Sequence, residues 1–523
     1  MTAASSNLRI ILSRVLITLY PSQALISTSF FQFISTGSTM GTNTKKQKTE
    51  KPSDLIEEAY LHLEESIANE TASASFVCGG TIPVKETDAG PAIAHSTSPV
   101  HIFWAAKEDM AARKLILPLE SSPVSDSSAA RLNQLVADCE PASFGRGKED
   151  VIDPSYRKAG KLDPKQFASS FHPADFGITE QVERLLLPAM GGTGDSLASR
   201  ELHAELYKLN VYSGPSGLFQ KHVDTPRSQS QIGSLVVCLP SVFKGGNLLV
   251  RHHGTEVDFD WALQSGKTIQ WAALYSDCEH EIKTITEGER VTLTYNLYVA
   301  GPEFSSIPSS VLDPTKLPLY PEIQKLFQKE DFMSNGGVLA IYCSHAYPHS
   351  VEEANLLLPR GLKGSDLVVY AVLKSFGIEV EVLPVIIEQE YDYGDFDSDI
   401  DELGPEAEER LYGERKENLK KQKEKVEKGG REARSNPYAH IGESLMPYRR
   451  HDDEEVPNVY KFIKEVWPYK DLQNITWISR PKHREMAVSF TQWGNEYINH
   501  TEYSYAAIVA QIPSFSERVK SGR

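Results

Sequence analysis

The chain has 523 residues, 54 basic against 71 acidic, a net charge of −17, and hydrophobic and charged fractions of 40% and 24%. That is the composition of a folded protein long enough for two or more domains, and its acidity gives no electrostatic reason to expect nucleic acid or an anionic membrane as partner. Five cysteines stand far apart with no Cys-x-x-Cys among them, so neither a zinc site nor a disulfide framework is suggested and a reducing compartment fits.

Residues 1–49 carry Arg9, Arg14, Lys45, Lys46 and Lys48 and no acid before Glu50, in a background of serine, threonine and small apolar residues. Residues 1–52 are expected to form a targeting-like or disordered N-terminus, and two readings of it stand side by side. The segment has the character of a mitochondrial presequence, or translation starts at Met40 and the protein is cytoplasmic or nuclear. The run IILSRVLITLY is too short and interrupted to span a bilayer.

A domain is expected over 53–300. Residues 53–67 pattern as an amphipathic helix behind a serine cap, and ASFVCGGTIPV, VHIFWAAK and ARKLILPLE pattern as strands. The stretch 128–210 looks mostly helical. Its FGRG lacks the lysine and hydroxyl of a phosphate loop and is expected to be a turn. From about 205 to 300, eight short β-branched and aromatic runs follow one another with turn residues between them and no helix, the pattern of a sandwich or jelly roll. A mixed helix and strand region is expected over 301–387, and 388–434 opens acidic and continues lysine-rich, as solvated or disordered segments do. Residues 435–523, with the strand YSYAAIVAQIPSF, should pack back on the body. The fold class is therefore α+β: a double-stranded β-helix (jelly-roll) core with flanking helices and a mixed C-terminal region.

The chemistry concentrates in LYKLNVYSGPSGLFQKHVDTP. His222 and Asp224, with one residue between them at a strand end, face the same side. His280 opens a later strand. Two imidazoles and one carboxylate leave three positions open on an octahedral ion. Arg290 lies ten residues after His280 and has the planar fork that holds a carboxylate. Tyr212 lies ten before His222 across the SGPSG turn, which is expected to join them in one hairpin, and Thr294, four past Arg290, shares its strand face. The spacing alone is weak, because it recurs at His451-Asp452-Asp453. That copy sits in RRHDDEEVP with no strand before it, and His483 and His500 have no arginine at a useful spacing, so it is expected in a solvated loop. His252 and His253 are expected at the surface. His345 and His349, separated by Pro348, are expected in a loop without metal. Cys278, Trp261 and Trp271 are expected in the core, with Gln220 and Lys221 facing solvent.

The ordered set Tyr212, His222-Val-Asp224, GGNLLV, Glu-His280 and GERVTLTYNLY resembles the iron(II)- and 2-oxoglutarate-dependent dioxygenases, in their prolyl 4-hydroxylase-like branch. The resemblance covers about a fifth of the chain. It implies His222, Asp224 and His280 as iron ligands, Arg290 as the anchor of 2-oxoglutarate with Tyr212 and Thr294 assisting, and ascorbate as a further candidate cofactor. It implies hydroxylation of a C–H bond, with a prolyl or other protein side chain as candidate substrate and release of succinate and carbon dioxide. Related groups depart at single residues: halogenases lack the Asp224 carboxylate, AlkB-type demethylases carry a second arginine where Asn296 stands, jumonji enzymes anchor with lysine, and cupins use His-x-His with a glutamate. A two-domain ribosomal prolyl hydroxylase arrangement, with a second jelly roll after 300, is disfavoured by the helical pattern of 320–380. The rival from another class is a non-catalytic jelly-roll binding or scaffold protein.

Overall fold

The computed structural model describes residues 52–85, 97–105, 111–119, 125–146, 149–192, 196–300, 311–349, 354–387, 434–436, 439–445, 449–451, 468–472, 474–492 and 498–521. The N-terminal segment 1–49, the charged stretch 388–433 and Asp452-Asp453 lie outside them.

Helix α1 spans Pro52–Ser73. The elements that build the first half follow in order: β1 (Val77–Pro83), α2 (Ile178–Leu186), β2 (Glu201–Ser213), β3 (Leu218–Val223), β4 (Gln231–Cys238), β5 (Leu248–His252), β6 (Thr255–Phe259), β7 (Thr268–Tyr275), β8 (Glu279–Ile282) and β9 (Ile285–Ala300). They form two antiparallel sheets. One has the order β1-β7-β4-β9-β2 and the other β6-β5-β8-β3, each extended by short strands from 140–162. From β2 to β9 the chain passes repeatedly from one sheet to the other. Leu235, Leu293, Val250 and Ile282, two from each sheet, belong to one hydrophobic core. Helix α2 buries Ile178, Val182 and Leu186 at helical spacing and joins the same core.

The expected helical stretch 128–210 is helical only at Ser125–Asp138 and in α2, apart from two short 3-10 turns. Glycine, proline and aspartate between them break the helix pattern, and Phe144–Arg146 pairs with Glu149–Val151 as a small hairpin.

The second half is organised around a mixed sheet: β10 (Gly337–Tyr342), β11 (Glu379–Ile387), β12 (Ala439–Ile441), β13 (Ile475–Trp477), β14 (Arg484–Gln492) and β15 (Ile498–Ile512). Its order is β12-β11-β15-β10-β13, with β14 also on β15. Helices α3 (Leu319–Phe327) and α4 (Gly364–Ser375) cover it, and α1 packs here: Ala59, Leu63 and Ile67 share a core with Ile323, Leu373 and Ile508. Arg449–His451, expected in a loop, is a short strand paired with Val488–Phe490. No described helix is long and apolar enough to cross a membrane.

His349 ties this half together. It is 2% exposed, with Nε2 2.8 Å from the Ser504 hydroxyl and Nδ1 3.0 Å from the Tyr347 carbonyl. Glu485 Oε2, at 3.3 Å from Nδ1, is the facing charge. Burial pushes this imidazole down to about 4. The folded value lies below the unfolded one of about 6.5, so its contribution is present above pH ~6.5 and is lost as pH falls toward 4. His349→Gln should therefore lose ~2–3 kcal/mol less stability than the wild type between pH 7 and 4.5, read from urea melts at the two pH values.

Candidate active site

Strands β3 and β8 are neighbours, and His222 stands directly opposite His280 in their register. Residues so paired project from the same face, and the two imidazoles lie 4.2 Å apart, centre to centre. Asp224 follows the last residue of β3. Its Oδ1 is 3.9 Å from His222 Nε2 and 3.7 Å from His280 Nε2. Donors about 2.1 Å from one ion and roughly 90–120° apart lie ~3.0–3.6 Å from each other, so these separations are a few tenths of an ångström wider than a closed set. His222 Nδ1 donates to the Gln220 carbonyl at 2.7 Å and His280 Nδ1 to the Cys278 carbonyl at 3.1 Å. That assignment leaves the Nε2 lone pairs free for a metal.

Burial and the neighbouring His280 push His222 down to about 3. Burial alone would raise the Asp224 carboxyl, but His280, His222 and the Ser234 hydroxyl hold it below the usual carboxylate range. His222 is thus a neutral imidazole and Asp224 an anion near neutral pH.

Strand β9 explains Arg290. Along it the residues split by parity: Val291, Leu293, Tyr295 and Leu297 on one face, Arg290, Thr292, Thr294 and Asn296 on the other. Cross-strand registry adds Asn210 and Tyr212 from β2 and Ser234 from β4 to the polar face. Arg290, Thr292, Asn210, Asn296 and Ser234 are all buried. A buried polar face demands partners. Ser234 Oγ donates to Asp224 Oδ2 at 2.7 Å, which joins this face to the triad. Arg290 is 0% exposed; Nη1 donates to the Gly246 carbonyl at 3.0 Å, and Nε and Nη2 have no hydrogen-bond partner among the described residues. Its guanidinium carbon lies 5.0 Å from the Trp261 ring centre and 5.9 Å from that of Tyr212. Gly246, at φ 71°, is needed there: a Cβ would meet Ile285 Cδ1 at 2.0 Å.

The structure brings His222, Asp224 and His280 together and sets Tyr212 opposite Arg290. It does not make the SGPSG turn a hairpin. Strand β2 pairs with β9 and β3 with β8, so residues 214–217 carry the chain between sheets, and Tyr212 reaches Arg290 through strand pairing. Thr294 Oγ1 accepts from Asn210 Nδ2 at 3.1 Å, and Asn210 Oδ1 accepts from Arg157 Nη2 at 2.9 Å. Arg157 lies 4.4 Å over Phe219, which stacks at 3.6 Å on His222. Sequence reasoning passed over Arg157, Phe219 and Ser234. Ser234 had a signal, a lone hydroxyl in the apolar run GSLVVCLP; Arg157 had none. Trp261, Trp271 and Cys278 are buried, and Gln220 and Lys221 are exposed, as expected. Ser234→Ala should weaken metal binding about 10–100-fold by freeing the Asp224 carboxylate, measured by competition with a chelating dye.

A cavity of about 500 Å³ opens beside Asp224, lined also by Arg227, Gln231, His345, Tyr347 and Lys363. Residues from both halves of the chain thus line one cleft beside Asp224.

No family model matches the chain, and neither does any curated protein. Among solved structures it is similar to a 2OG-Fe(II) oxygenase family oxidoreductase from Burkholderia pseudomallei, at 18% identity over 33% of this chain and 79% of that one, TM-score 0.21. It is similar to a prolyl-4-hydroxylase from Pseudomonas putida, at 17% over 34% and 85%, TM-score 0.23. A third is a prolyl hydroxylase from Trichoplax adhaerens in complex with a hypoxia inducible factor peptide fragment, at 13% over 48% and 94%, TM-score 0.23. At these values the functional reading rests on the side-chain geometry of this chain.

Proposed function

We propose that the chain is an iron(II)- and 2-oxoglutarate-dependent dioxygenase on a double-stranded β-helix, hydroxylating a C–H bond of a prolyl or other protein side chain. The observation that carries this reading is the pairing of a His/Asp/His set with a fully buried arginine on the adjoining polar face, whose Nε and Nη2 have no hydrogen-bond partner among the described residues. A buried guanidinium without a counter-ion is costly, so the site is built for an anion with a planar acceptor. His222, Asp224 and His280 would hold the metal, and Arg290 the distal carboxylate of 2-oxoglutarate, with Tyr212 and Thr294 as neighbours. When bound, the metal and 2-oxoglutarate supply dioxygen activation, with succinate and carbon dioxide as co-products.

The residues of the chain supply position and dryness. The Gln220 and Cys278 carbonyls set the imidazole tautomers, and Ser234 fixes the unshared oxygen of Asp224. Phe219 and Trp261 cover His222 and Arg290 with apolar surface. The cavity beside Asp224 is the approach for substrate.

Anaerobic titration with iron(II) and 2-oxoglutarate tests the reading: a weak visible charge-transfer band and, on admitting oxygen, succinate are expected. No band and no succinate would leave a non-catalytic binding protein. The substrate follows from a search for a mass gain of one oxygen in cells with wild-type protein against cells with Asp224→Ala.

A further inference from the structure

A second cluster of donors stands where the two halves meet. One ring nitrogen of His252, one of His345 and a carboxylate oxygen of Asp277 lie within 4.8 Å of one another. The imidazoles of His252 and His345 are nearly parallel at 4.5 Å, and His253 and His483 crowd the same spot, 4.0 Å from His252 and 6.2 Å from His253 respectively. His252, expected at the surface, is half-buried here, His253 is exposed as expected, and His345 is 3% exposed.

Ordinary hydrogen bonding accounts for most of this cluster. Asp277 accepts from Lys363 Nζ at 3.1 Å, His345 Nδ1 at 2.9 Å and the Ala346 N–H at 3.0 Å. The Ser344 carbonyl lies 3.0 Å from His253 Nε2 and 2.8 Å from His483 Nε2. It does not account for His252, whose Nε2 is buried without a hydrogen-bond partner among the described residues. Nor does it account for the backbone at the β5–β6 turn. His253 has φ 46° ahead of Gly254 at 79°, a two-residue turn that puts a side chain where glycine or asparagine is preferred. The turn holds His252 and His253 against the loop after β10.

We propose that His252, Asp277 and His345 form a second metal site, for a divalent first-row transition cation such as Zn²⁺, which clamps the β5 and β8 end of the first half to the loop after β10 in the second. Two imidazoles and one carboxylate suit such a cation. His345 Nδ1 and Asp277 Oδ2, 2.9 Å apart, share a hydrogen bond in the metal-free protein; a cation would displace the Nδ1 proton to solvent, with the two atoms already near the ~3.0 Å that separates donors about 2.1 Å from an ion at a right angle. Lys363 on Oδ1 would orient the carboxylate from outside, while its charge weakens the affinity.

The test uses the full chain with the first site emptied, His222→Ala/Asp224→Ala. Titrated with Co²⁺, this protein should bind one equivalent with a visible d–d spectrum, and adding His252→Ala should abolish it. Absence of the equivalent, or its survival in the triple variant, overturns the proposal. Should His252→Ala not fold, an anomalous map from Co²⁺-soaked crystals of the double variant decides: a peak among His252, Asp277 and His345 supports the site, whereas no peak, or an adventitious ion only, overturns it. If the triad binds no metal at all, the unmodified protein binds a single Co²⁺ that His252→Ala removes and His222→Ala/Asp224→Ala leaves in place, which separates this inference from the proposed function.

Discussion

His222→Ala is expected to abolish iron- and 2-oxoglutarate-dependent succinate release while leaving the fold in place. His222 is one of three donors, and its free nitrogen lies 3.9 Å from Asp224. Changes outside the ligand shell alone typically cost 10–100-fold in metal affinity, so loss of a donor should cost at least ~100-fold. Stability should change little, by ~1 kcal/mol, because the ring is at the end of β3 and its main packing partner is Phe219. The matched control is His451→Ala. It shares the His-x-Asp spacing but stands in a strand of the other half's sheet, and its activity should be that of the wild type. Succinate measured against added iron reads both, and full activity in His222→Ala would sink the assignment of the triad.

Arg290→Met should separate ligand binding from stability. In the ligand-free protein the guanidinium is fully buried, and Nε and Nη2 have no hydrogen-bond partner among the described residues. Replacing a poorly compensated buried charge by an apolar side chain of similar volume is often neutral or stabilising by ~1–4 kcal/mol. The melting temperature of ligand-free Arg290→Met should therefore equal or exceed that of the wild type. With 2-oxoglutarate the wild type alone should rise. The ligand at one hundred times its Kd stabilises the wild type by ~2.7 kcal/mol. The variant, having lost a buried charge pair of about 3–5 kcal/mol, binds at least ~100-fold more weakly and is not stabilised. A variant that melts lower without ligand, yet is still raised by 2-oxoglutarate, would make Arg290 a structural residue tied to Gly246 and Trp261.

The two results bear on different sheets. The triad rests on β3 and β8, Arg290 on β9, and Ser234 on β4 bridges them through Asp224. Variants on either side should then act together on activity but separately on metal and 2-oxoglutarate affinity.

Much of this site was legible in one dimension. Strand periodicity is a local property, so parity along β9 puts Arg290 and Thr294 on one face, and the offset between His222 and Asp224 survives whatever the strand pairs with. The eight strands after residue 205 were legible for the same reason. The crossing between sheets at SGPSG was not. A glycine-rich turn reads the same whether the chain folds back on its own strand or crosses to another sheet, and only the partners of β2 and β3 decide between them. The histidine pairs show the same divide. His345 and His349 look alike by spacing, yet His349 bonds Ser504 within its own half while His345 meets Asp277 and His252 from the other. The sequence by itself determined which residue types stand on which face of each strand, because that depends on backbone geometry alone. Tertiary structure decided which faces meet: that Ser234 holds Asp224, that Arg157 stacks above Phe219, and that His252 ends buried beside His345. Those contacts join residues 10 to 93 positions apart, and packing between sheets brings them together where no local pattern can.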